Sequence, residues 1–149
     1  MKLVIDANCA LEIVLKQRFD LPMRDTITES EEVVVPELYC AEVANALWKN
    51  VHSQNFSQEI AVQYYRKAIS FVDTFVNTKN STMSSLRLGC LLDHSIYDMY
   101  YLTLADQYDA HLMTLDKRLL KLAKEQGIKY VELMAMHWDK ETGEPIFDS

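Results

Sequence analysis

The chain contains few of the residues that form linkers, loops and disulfides. Its 149 residues include only three glycines, three prolines and three cysteines. So little Gly and Pro, with no low-complexity stretch and no internal repeat, argues against long linkers and disordered segments. The cysteines, Cys9, Cys40 and Cys90, are widely spaced and form no CxxC pair, which disfavours a zinc site and a disulfide scaffold. This use of cysteine is typical of the reducing cytoplasm.

Long apolar runs are also missing. No stretch approaches the roughly 20 apolar residues that a membrane-spanning helix needs. Asp6 and Glu12 interrupt the apolar stretch near residue 1, so no secretory signal peptide is expected. The length fits one domain, residues 1–149, with a core over about 2–133 and a tail, 134–149, that we do not assign. We expect a soluble cytoplasmic protein.

Basic residues are outnumbered, with 15 Lys and Arg against 22 Asp and Glu and a net charge of −7. A protein that coats nucleic acid electrostatically needs a basic face, so that class is disfavoured. An enzyme that holds phosphate through metal ions is not, because divalent cations would neutralise its acidic residues. The sequence has no Gly-rich phosphate loop and no GxSxG motif, which disfavours nucleotide-binding and serine-nucleophile folds.

Hydrophobic periodicity predicts strands that alternate with helices. The predicted strands are 2–6, 33–36, 111–115 and 129–133. The predicted helices are 7–17, 37–53, one that starts after Ser57 and continues its apolar face to Phe75, then 82–92, 96–108 and 117–126, while 20–31 is helical or looped. This alternation predicts an α/β fold, a three-layer α/β/α sandwich around a short parallel sheet of four or five strands.

Four acids recur where this fold would bind a ligand. Asp6 ends the first apolar run, Asp116 follows the run HLMTL, Asp98 opens a helix, and Glu42 lies on a helix opposite its apolar stripe. Ligands bind α/β sheets at the carboxyl ends of the strands. Carboxylates gathered there make an oxygen-rich pocket of the kind that Mg²⁺ or Mn²⁺ prefers. The pattern therefore predicts a metal-dependent nuclease.

Each acid also has a structural alternative. Asp6 and Asp116 are well placed to cap the helices that follow them, and Glu42 is compatible with a solvated helix face. Asp98 has the weakest alternative, because Ser95 and Asp98 resemble a capping box that normally ends in Glu or Gln. The neighbours of Asp98 on its helix face are apolar, and a buried charge is costly unless it is paired or bound to metal. Function is therefore favoured at Asp98.

Polar and basic residues near the acids complete the predicted site. Asn8 lies two residues after Asp6, and Asn45 lies one helical turn after Glu42, where it can orient that carboxylate. Thr114, two residues before Asp116, either holds a metal-bound water or packs as a strand residue.

Three basic residues are candidates for contact with substrate phosphate. They are Lys49, on the same helix face as Glu42, and Lys117 and Arg118, which directly follow Asp116. An exposed, charged helix start remains the alternative interpretation of Lys117 and Arg118.

Four segments, taken in order, resemble a PIN domain and more narrowly the VapC-type toxins of toxin–antitoxin pairs. They are the acid after the first strand, PELYCAEVANALWK around Glu42, SIYDMYYLTLA around Asp98, and LMTLDKRLLKLA around Asp116. The resemblance spans residues 2 to about 133. Asn8 departs from the pattern, because Ser or Thr often stands there, whereas Asn45 and Thr114 match the usual polar supports.

The resemblance implies an endoribonuclease that uses Mg²⁺ or Mn²⁺. It implies metal binding by Asp6, Asp98 and Asp116, with Glu42 acting through water, and Asn8, Asn45 and Thr114 in support. It also implies a homodimer or a hetero-oligomer with a small antitoxin, whose tail places a basic side chain in the acidic pocket. Two alternatives stay open: a non-catalytic PIN-fold module that binds RNA or protein, and a PIN nuclease of RNA maturation.

Overall fold

A parallel sheet between helices forms the centre of the computed structural model, which describes residues 1–133 and 136–148. The strands are β1 (Lys2–Ile5), β2 (Glu32–Pro36), β3 (Thr74–Val76) and β4 (His111–Met113). Their order is β3-β2-β1-β4, and every pair is parallel. In this register Val4 of β1 lies between Val34 of β2 and Leu112 of β4. The predicted α/β class and four-stranded parallel sheet are confirmed.

Seven α-helices and a hairpin accompany the sheet in the described residues. The helices are α1 (Ala7–Val14), α2 (Asp20–Glu29), α3 (Leu38–His52), α4 (Gln58–Ser70), α5 (Thr82–Leu92), α6 (Ile96–Gln107) and α7 (Lys117–Glu125), with a 3-10 turn at Thr78–Ser81. Strands β5 (Met136–Trp138) and β6 (Pro145–Phe147) pair antiparallel in the tail that the sequence left unassigned. In the part of the chain that the structure describes, no helix is both long and apolar enough to cross a bilayer.

The core lies where the central strands meet helix α6. Leu3, Val4 and Ile5 of β1 are fully buried, as expected for a strand covered on both faces. The seven residues 99–105 of α6 are all buried, so this nearly apolar helix packs inside the core. Asp6, which follows β1, and Asp98, near the start of α6, are therefore each attached to a fully or mostly buried element of the core.

The prediction that the apolar helix face after Ser57 continues to Phe75 is wrong. Helix α4 ends at Ser70, and Phe75 lies in edge strand β3. The backbone N–H of Asp73 donates to the Val33 carbonyl (2.9 Å), and the Asp73 carboxylate accepts from the Val33 N–H (2.8 Å). These two bonds turn the chain onto the sheet, so that the apolar residues after Ser70 follow the strand and not the helix.

The predicted strand 129–133 is reduced to a single parallel bridge between Leu112 and Tyr130. The Leu112 N–H donates to the Lys129 carbonyl, and the Val131 N–H donates to the Leu112 carbonyl, both at 2.9 Å. Strand β4 is only three residues long, so it offers a fifth strand few partners. The segment 20–31, left open between helix and loop, forms helix α2.

The apolar stripe predicted on 37–53 is only partly buried. Val43 and Leu47 of α3 are buried, whereas Trp48 is 58% exposed and lines a groove between α3 and α4. The buried side of α3 instead includes Tyr39, whose hydroxyl donates to the Ala68 carbonyl of α4 at 2.7 Å. The α3–α4 hairpin is therefore joined by a buried hydrogen bond as well as by apolar contact.

Candidate active site

The four predicted acids line one small pocket of about 200 Å³ at the carboxyl ends of β1 and β4. Asp6 follows β1, Asp116 follows the β4 segment, Glu42 comes from α3, and Asp98 comes from the first turn of α6. The remaining lining residues are Ala7, Asn8, Asn45, Ala46, Lys49 and Tyr101. Carboxylates that are far apart in the sequence are thus brought to the rim of the sheet where α/β folds bind ligands.

Asp6 is both a helix cap and a wall of the pocket. Its Oδ1 accepts from the backbone N–H of Cys9 at 2.9 Å, and this bond caps α1. Its Oδ2 accepts from the hydroxyl of Thr114. The residue is only 7% exposed, so these bonds fix a nearly buried carboxylate in one orientation. The capping alternative is confirmed without removing Asp6 from the pocket.

Thr114 links Asp6 to Asp116 without lining the pocket itself. Its hydroxyl donates to Asp6 and accepts from the backbone N–H of Asp116 at 3.0 Å. The Asp116 Oδ1 in turn accepts from the N–H groups of Arg118 (2.9 Å) and Leu119 (3.1 Å), and these bonds cap α7. In the described residues Asp116 Oδ2 makes no hydrogen bond or ion pair, so this oxygen is available to a ligand.

Glu42 is held by a buried tyrosine of α6 that is not among the site residues predicted from the sequence. The buried hydroxyl of Tyr101, on α6, donates to Glu42 Oε1 across 2.6 Å, a short bond of the kind found with a charged acceptor. Tyr101 is 1% exposed and lies three residues after Asp98, one turn along the same helix face. That spacing could have indicated Tyr101 as a site residue, because a tyrosine one turn after a site acid lies on the same face of the helix as the acid.

Asp98 is the least constrained of the four acids. It makes no hydrogen bond among the described residues, and its Oδ2 lies 3.7 Å from Nε2 of His94, a contact that is ionic only if the histidine is protonated. Ser95 precedes α6 but its side chain makes no capping bond, so the capping box considered for Ser95 and Asp98 does not form. The capping alternative for Asp98 is therefore wrong.

Burial and mutual repulsion disfavour negative charge in the pocket. Desolvation is the main cause that raises the pKa of Asp6, Glu42 and Asp98 above their ordinary values. Repulsion adds to it: Asp116 raises the pKa of Asp6 and of Asp98, and Asp6 and Asp98 raise that of Glu42. Hydrogen bonds from Thr114 to Asp6 and from Tyr101 to Glu42 act in the opposite direction. A cation in the pocket would relieve both penalties.

The predicted polar supports and basic residues divide into two groups. Asn8, Asn45 and Lys49 line the pocket, and all three are exposed. Lys117 and Arg118 are not among the lining residues and lie exposed at the start of α7. The Arg118 guanidinium donates to the Asp93 carbonyl at 3.3 Å, and its charge lowers the pKa of Asp98.

The donor set suits a hard divalent cation that keeps part of its water. Carboxylate and amide oxygens line the pocket, and no thiol does. Within the described residues, no three His, Cys, Asp or Glu side chains are grouped closely enough to hold a metal ion by themselves. Mg²⁺ is commonly bound through one or two carboxylates while it retains several waters, so this spacing fits such an ion better than a closed cage. The individual ligand assignments stay predictions.

Comparison with known proteins finds similarity in sequence and in structure. A family profile described as PIN domain matches residues 3–125. Ribonuclease VapC3 from Pyrobaculum aerophilum is 24% identical over 121 residues, which cover 80% of this chain and 92% of that protein. The crystal structure of PAE2754, from the same organism, superposes with a TM-score of 0.68 at 22% identity, covering 88% of this chain and 84% of the other.

A second solved structure shares the fold at lower identity. VapBC2 from Rickettsia felis, bound to a DNA fragment from its promoter, matches with a TM-score of 0.67 at 12% identity. The match covers 89% of this chain and 99% of that chain. At such identities the two structures establish a common fold, and function has to be argued from the site.

Proposed function

Because the chain belongs to the PIN domain family, we propose that it is a metal-dependent endoribonuclease and the toxin of a toxin–antitoxin pair. The observation that carries the proposal is the single pocket that gathers Asp6, Glu42, Asp98 and Asp116 from four distant segments. No fold requirement explains all four, since only Asp6 and Asp116 cap helices. The similarity to Ribonuclease VapC3 supports RNA as the substrate.

Mg²⁺ or Mn²⁺, when bound, supplies a water of lowered pKa and positive charge for the phosphate. Asp98 and Asp116 would hold the ion most directly, because each has an oxygen without a protein partner in the described residues. Asp6 adds a fixed negative charge behind them, and Thr114 keeps its carboxylate in place. Glu42 lines the pocket and accepts from Tyr101 at Oε1, and its Oε2 makes no hydrogen bond in the described residues, which suits a role through water.

The basic and amide side chains of the pocket have a separate role. Lys49 lines the pocket and is the predicted side chain best placed to attract the RNA phosphate. Asn45, also in the lining, is placed to accept from or donate to the same group or to a metal-bound water. Lys117 and Arg118 lie outside the lining, so their contact would be with a phosphate further along the strand.

We propose further that the protein binds a small antitoxin, forms a homodimer and is located in the cytoplasm. The VapBC2 structure supports a small antitoxin partner. A basic antitoxin side chain in the acidic pocket would lower the same repulsion that a metal ion relieves. A homodimer follows from the family resemblance alone. The three cysteines are unpaired thiols, which suits the cytoplasm.

The test is cleavage of a mixture of structured RNAs by the purified protein in Mg²⁺ or Mn²⁺. We expect metal-dependent cutting that EDTA abolishes. Asp98→Asn should abolish it too while the protein stays folded. Asp106→Asn is the matched control, since Asp106 is exposed on the same helix and does not line the acidic pocket.

The outcomes separate the functional alternatives. Cutting by the wild type and Asp106→Asn, but not by Asp98→Asn, would support the nuclease. RNA binding without turnover by folded, metal-loaded protein would favour the non-catalytic module. If the product of a neighbouring antitoxin gene does not suppress RNA cleavage, a role in RNA maturation would be favoured over a role in growth arrest.

A further inference from the structure

A second cleft adjoins the acidic pocket, and we propose that it binds one unpaired nucleobase of the RNA next to the scissile phosphate. This inference rests on the proposed ribonuclease function. The cleft, here called the leucine cleft, has a volume of about 390 Å³ and runs between α1 and the segment that joins β4 to α7. Its lining comprises Leu11, Leu15, Leu115, Asn8, Gln17 and Asp116, together with Glu12.

Continuity with the acidic pocket is the first argument. Asn8 and Asp116 line both spaces, so the two cavities lie side by side. If the scissile phosphate lies at the acidic pocket, the leucine cleft is within reach of an adjoining nucleotide. Its volume falls in the range of about 300–1,000 Å³ that is usual for small-molecule sites, and a base is a ligand of that class.

The chemistry of the lining is the second argument. Leu11 is buried and Leu15 and Leu115 are half-buried, so three side chains offer an apolar surface to the flat face of a base. Gln17 and Asn8 are exposed amides at the edge, where each can both donate and accept. Proteins read unpaired RNA bases through this combination of face contact and edge hydrogen bonds.

One acidic group in the cleft is held in a fixed position. Glu12 Oε2 accepts from the backbone N–H of Phe19 at 3.0 Å, which orients the carboxylate. In the described residues Glu12 Oε1 makes no hydrogen bond. A fixed acceptor favours a base that presents an amino or imino N–H at its edge.

The charge around the leucine cleft is the third argument. The chain is acidic overall, yet both segments that line the cleft are flanked by cations. Lys16 and Arg18 stand on either side of Gln17, and Lys117 directly follows Asp116, and all three are exposed. Exposed cations next in sequence to the lining residues suit a nucleotide whose base enters the cleft while its phosphates stay outside.

The first experiment maps cleavage of a randomised single-stranded RNA library by sequencing the ends of the products. We expect the wild type to prefer certain bases at one position beside the cut. Gln17→Ala should weaken this preference three- to tenfold, the effect of one hydrogen bond, without changing the melting temperature. Gln126→Ala is the matched control, because Gln126 is also an exposed glutamine just after a helix but lines neither the acidic pocket nor the leucine cleft.

The second experiment measures binding without cleavage in the Asp98→Asn background. The probe is an RNA containing the preferred site, compared with the same RNA made abasic at the preferred position. We expect the abasic RNA to bind more than about tenfold more weakly, because it loses the apolar contact with the leucines as well as the hydrogen bond to Gln17. Adding Gln17→Ala should reduce that difference, whereas adding Gln126→Ala should leave it unchanged.

Failure of this inference and failure of the proposed function give different results. A wild type that cuts RNA with no base preference, or a preference that Gln17→Ala leaves unchanged, would overturn the base site and spare the nuclease. A wild type that cuts no RNA in Mn²⁺ would overturn both. An unchanged cutting pattern with weaker antitoxin binding by Gln17→Ala would assign the leucine cleft to the protein partner instead.

Discussion

Replacing Tyr101 with phenylalanine isolates one hydrogen bond of the candidate site. The change removes a hydroxyl that donates to Glu42 Oε1 at 2.6 Å and leaves a ring that is 1% exposed in its packing. The structure therefore predicts an effect on Glu42 and little change in the core. Tyr100→Phe offers a matched control on the same helix, because the Tyr100 hydroxyl bonds Thr82 Oγ1 at 2.8 Å and lies outside the pocket lining.

The expected magnitudes differ between stability and activity. Hydrogen bonds to charged groups contribute about 1.5–3 kcal/mol. Glu42 is half-buried at the pocket surface, and water can replace part of the lost bond, so Tyr101→Phe should lower the free energy of unfolding by only about 1 kcal/mol. Loss of a residue that orients a metal-site carboxylate typically costs about 10- to 100-fold in metal affinity or activity. Activity should therefore fall much more than stability.

The pH dependence of cleavage should also change in Tyr101→Phe, through the pKa of Glu42. The Tyr101 hydrogen bond lowers the pKa of Glu42, against a larger increase from burial. Its removal should raise that pKa further. If ionised Glu42 is the active form, the acid limb of the rate profile should move to higher pH in Tyr101→Phe and stay in place in Tyr100→Phe.

The assays are kcat/KM for RNA across pH and calorimetric titration with Mn²⁺. We expect kcat/KM and Mn²⁺ affinity to fall in Tyr101→Phe, while Tyr100→Phe shows a comparable loss of stability with wild-type kcat/KM and Mn²⁺ affinity. Equal activity losses in the two variants would mean that the Tyr101 hydroxyl acts through the stability of α6 and not through Glu42. Wild-type rates and Mn²⁺ affinity in Tyr101→Phe would show that Glu42 needs no such support.

Three further predictions concern charge and metal in the pocket. The folded-state pKa values of Asp6, Glu42 and Asp98 lie above their ordinary values of 3.8, 4.5 and 3.8. The free energy of unfolding of the metal-free protein should therefore increase as pH falls through the raised values. Urea unfolding should show a smaller increase in Asp98→Asn than in the wild type. Mn²⁺ at about 100 times its Kd should add about 2.7 kcal/mol to the free energy of unfolding, and an unchanged melting temperature would contradict metal binding. Thr114→Val should cost about 1–3 kcal/mol, because it removes the hydroxyl that joins Asp6 to the Asp116 backbone, and equal unfolding of both proteins in urea would refute that role.

Placement of the acids could be predicted because it follows from the ends of strands. Asp6 directly follows β1, and Asp116 comes three residues after the end of β4. These two strands are neighbours in the sheet, and parallel strands bring their carboxyl ends to one edge. Glu42 and Asp98 lie on helices, where helical spacing indicated the face but not what it meets. Tyr101 was missed because a tyrosine in an apolar helix cannot be distinguished from a core residue by sequence alone. Its role depends on the partner of its hydroxyl, which only the structure shows.

The mistakes have a common physical cause, which is that short strands carry little periodic signal. Strand β3 has three residues, and Phe75 within it continues the helical spacing of α4, so the pattern favoured helix. Two hydrogen bonds between Asp73 and Val33, forty residues apart, decide the outcome. The bridge at Tyr130 likewise depends on how much free edge β4 offers, and no local sequence feature determines this.

The structural and functional interpretations of these acids are compatible, because a carboxylate has two oxygens. Asp116 uses Oδ1 to cap α7 and keeps Oδ2 free among the described residues. Glu42 likewise accepts a hydrogen bond from Tyr101 at Oε1 alone, while both oxygens of Asp6 accept hydrogen bonds. Asp98 has no such bond, so charge removal there changes the pocket without undoing a cap. Of the four acids, Asp98 is therefore the position where loss of activity can be separated from loss of folding.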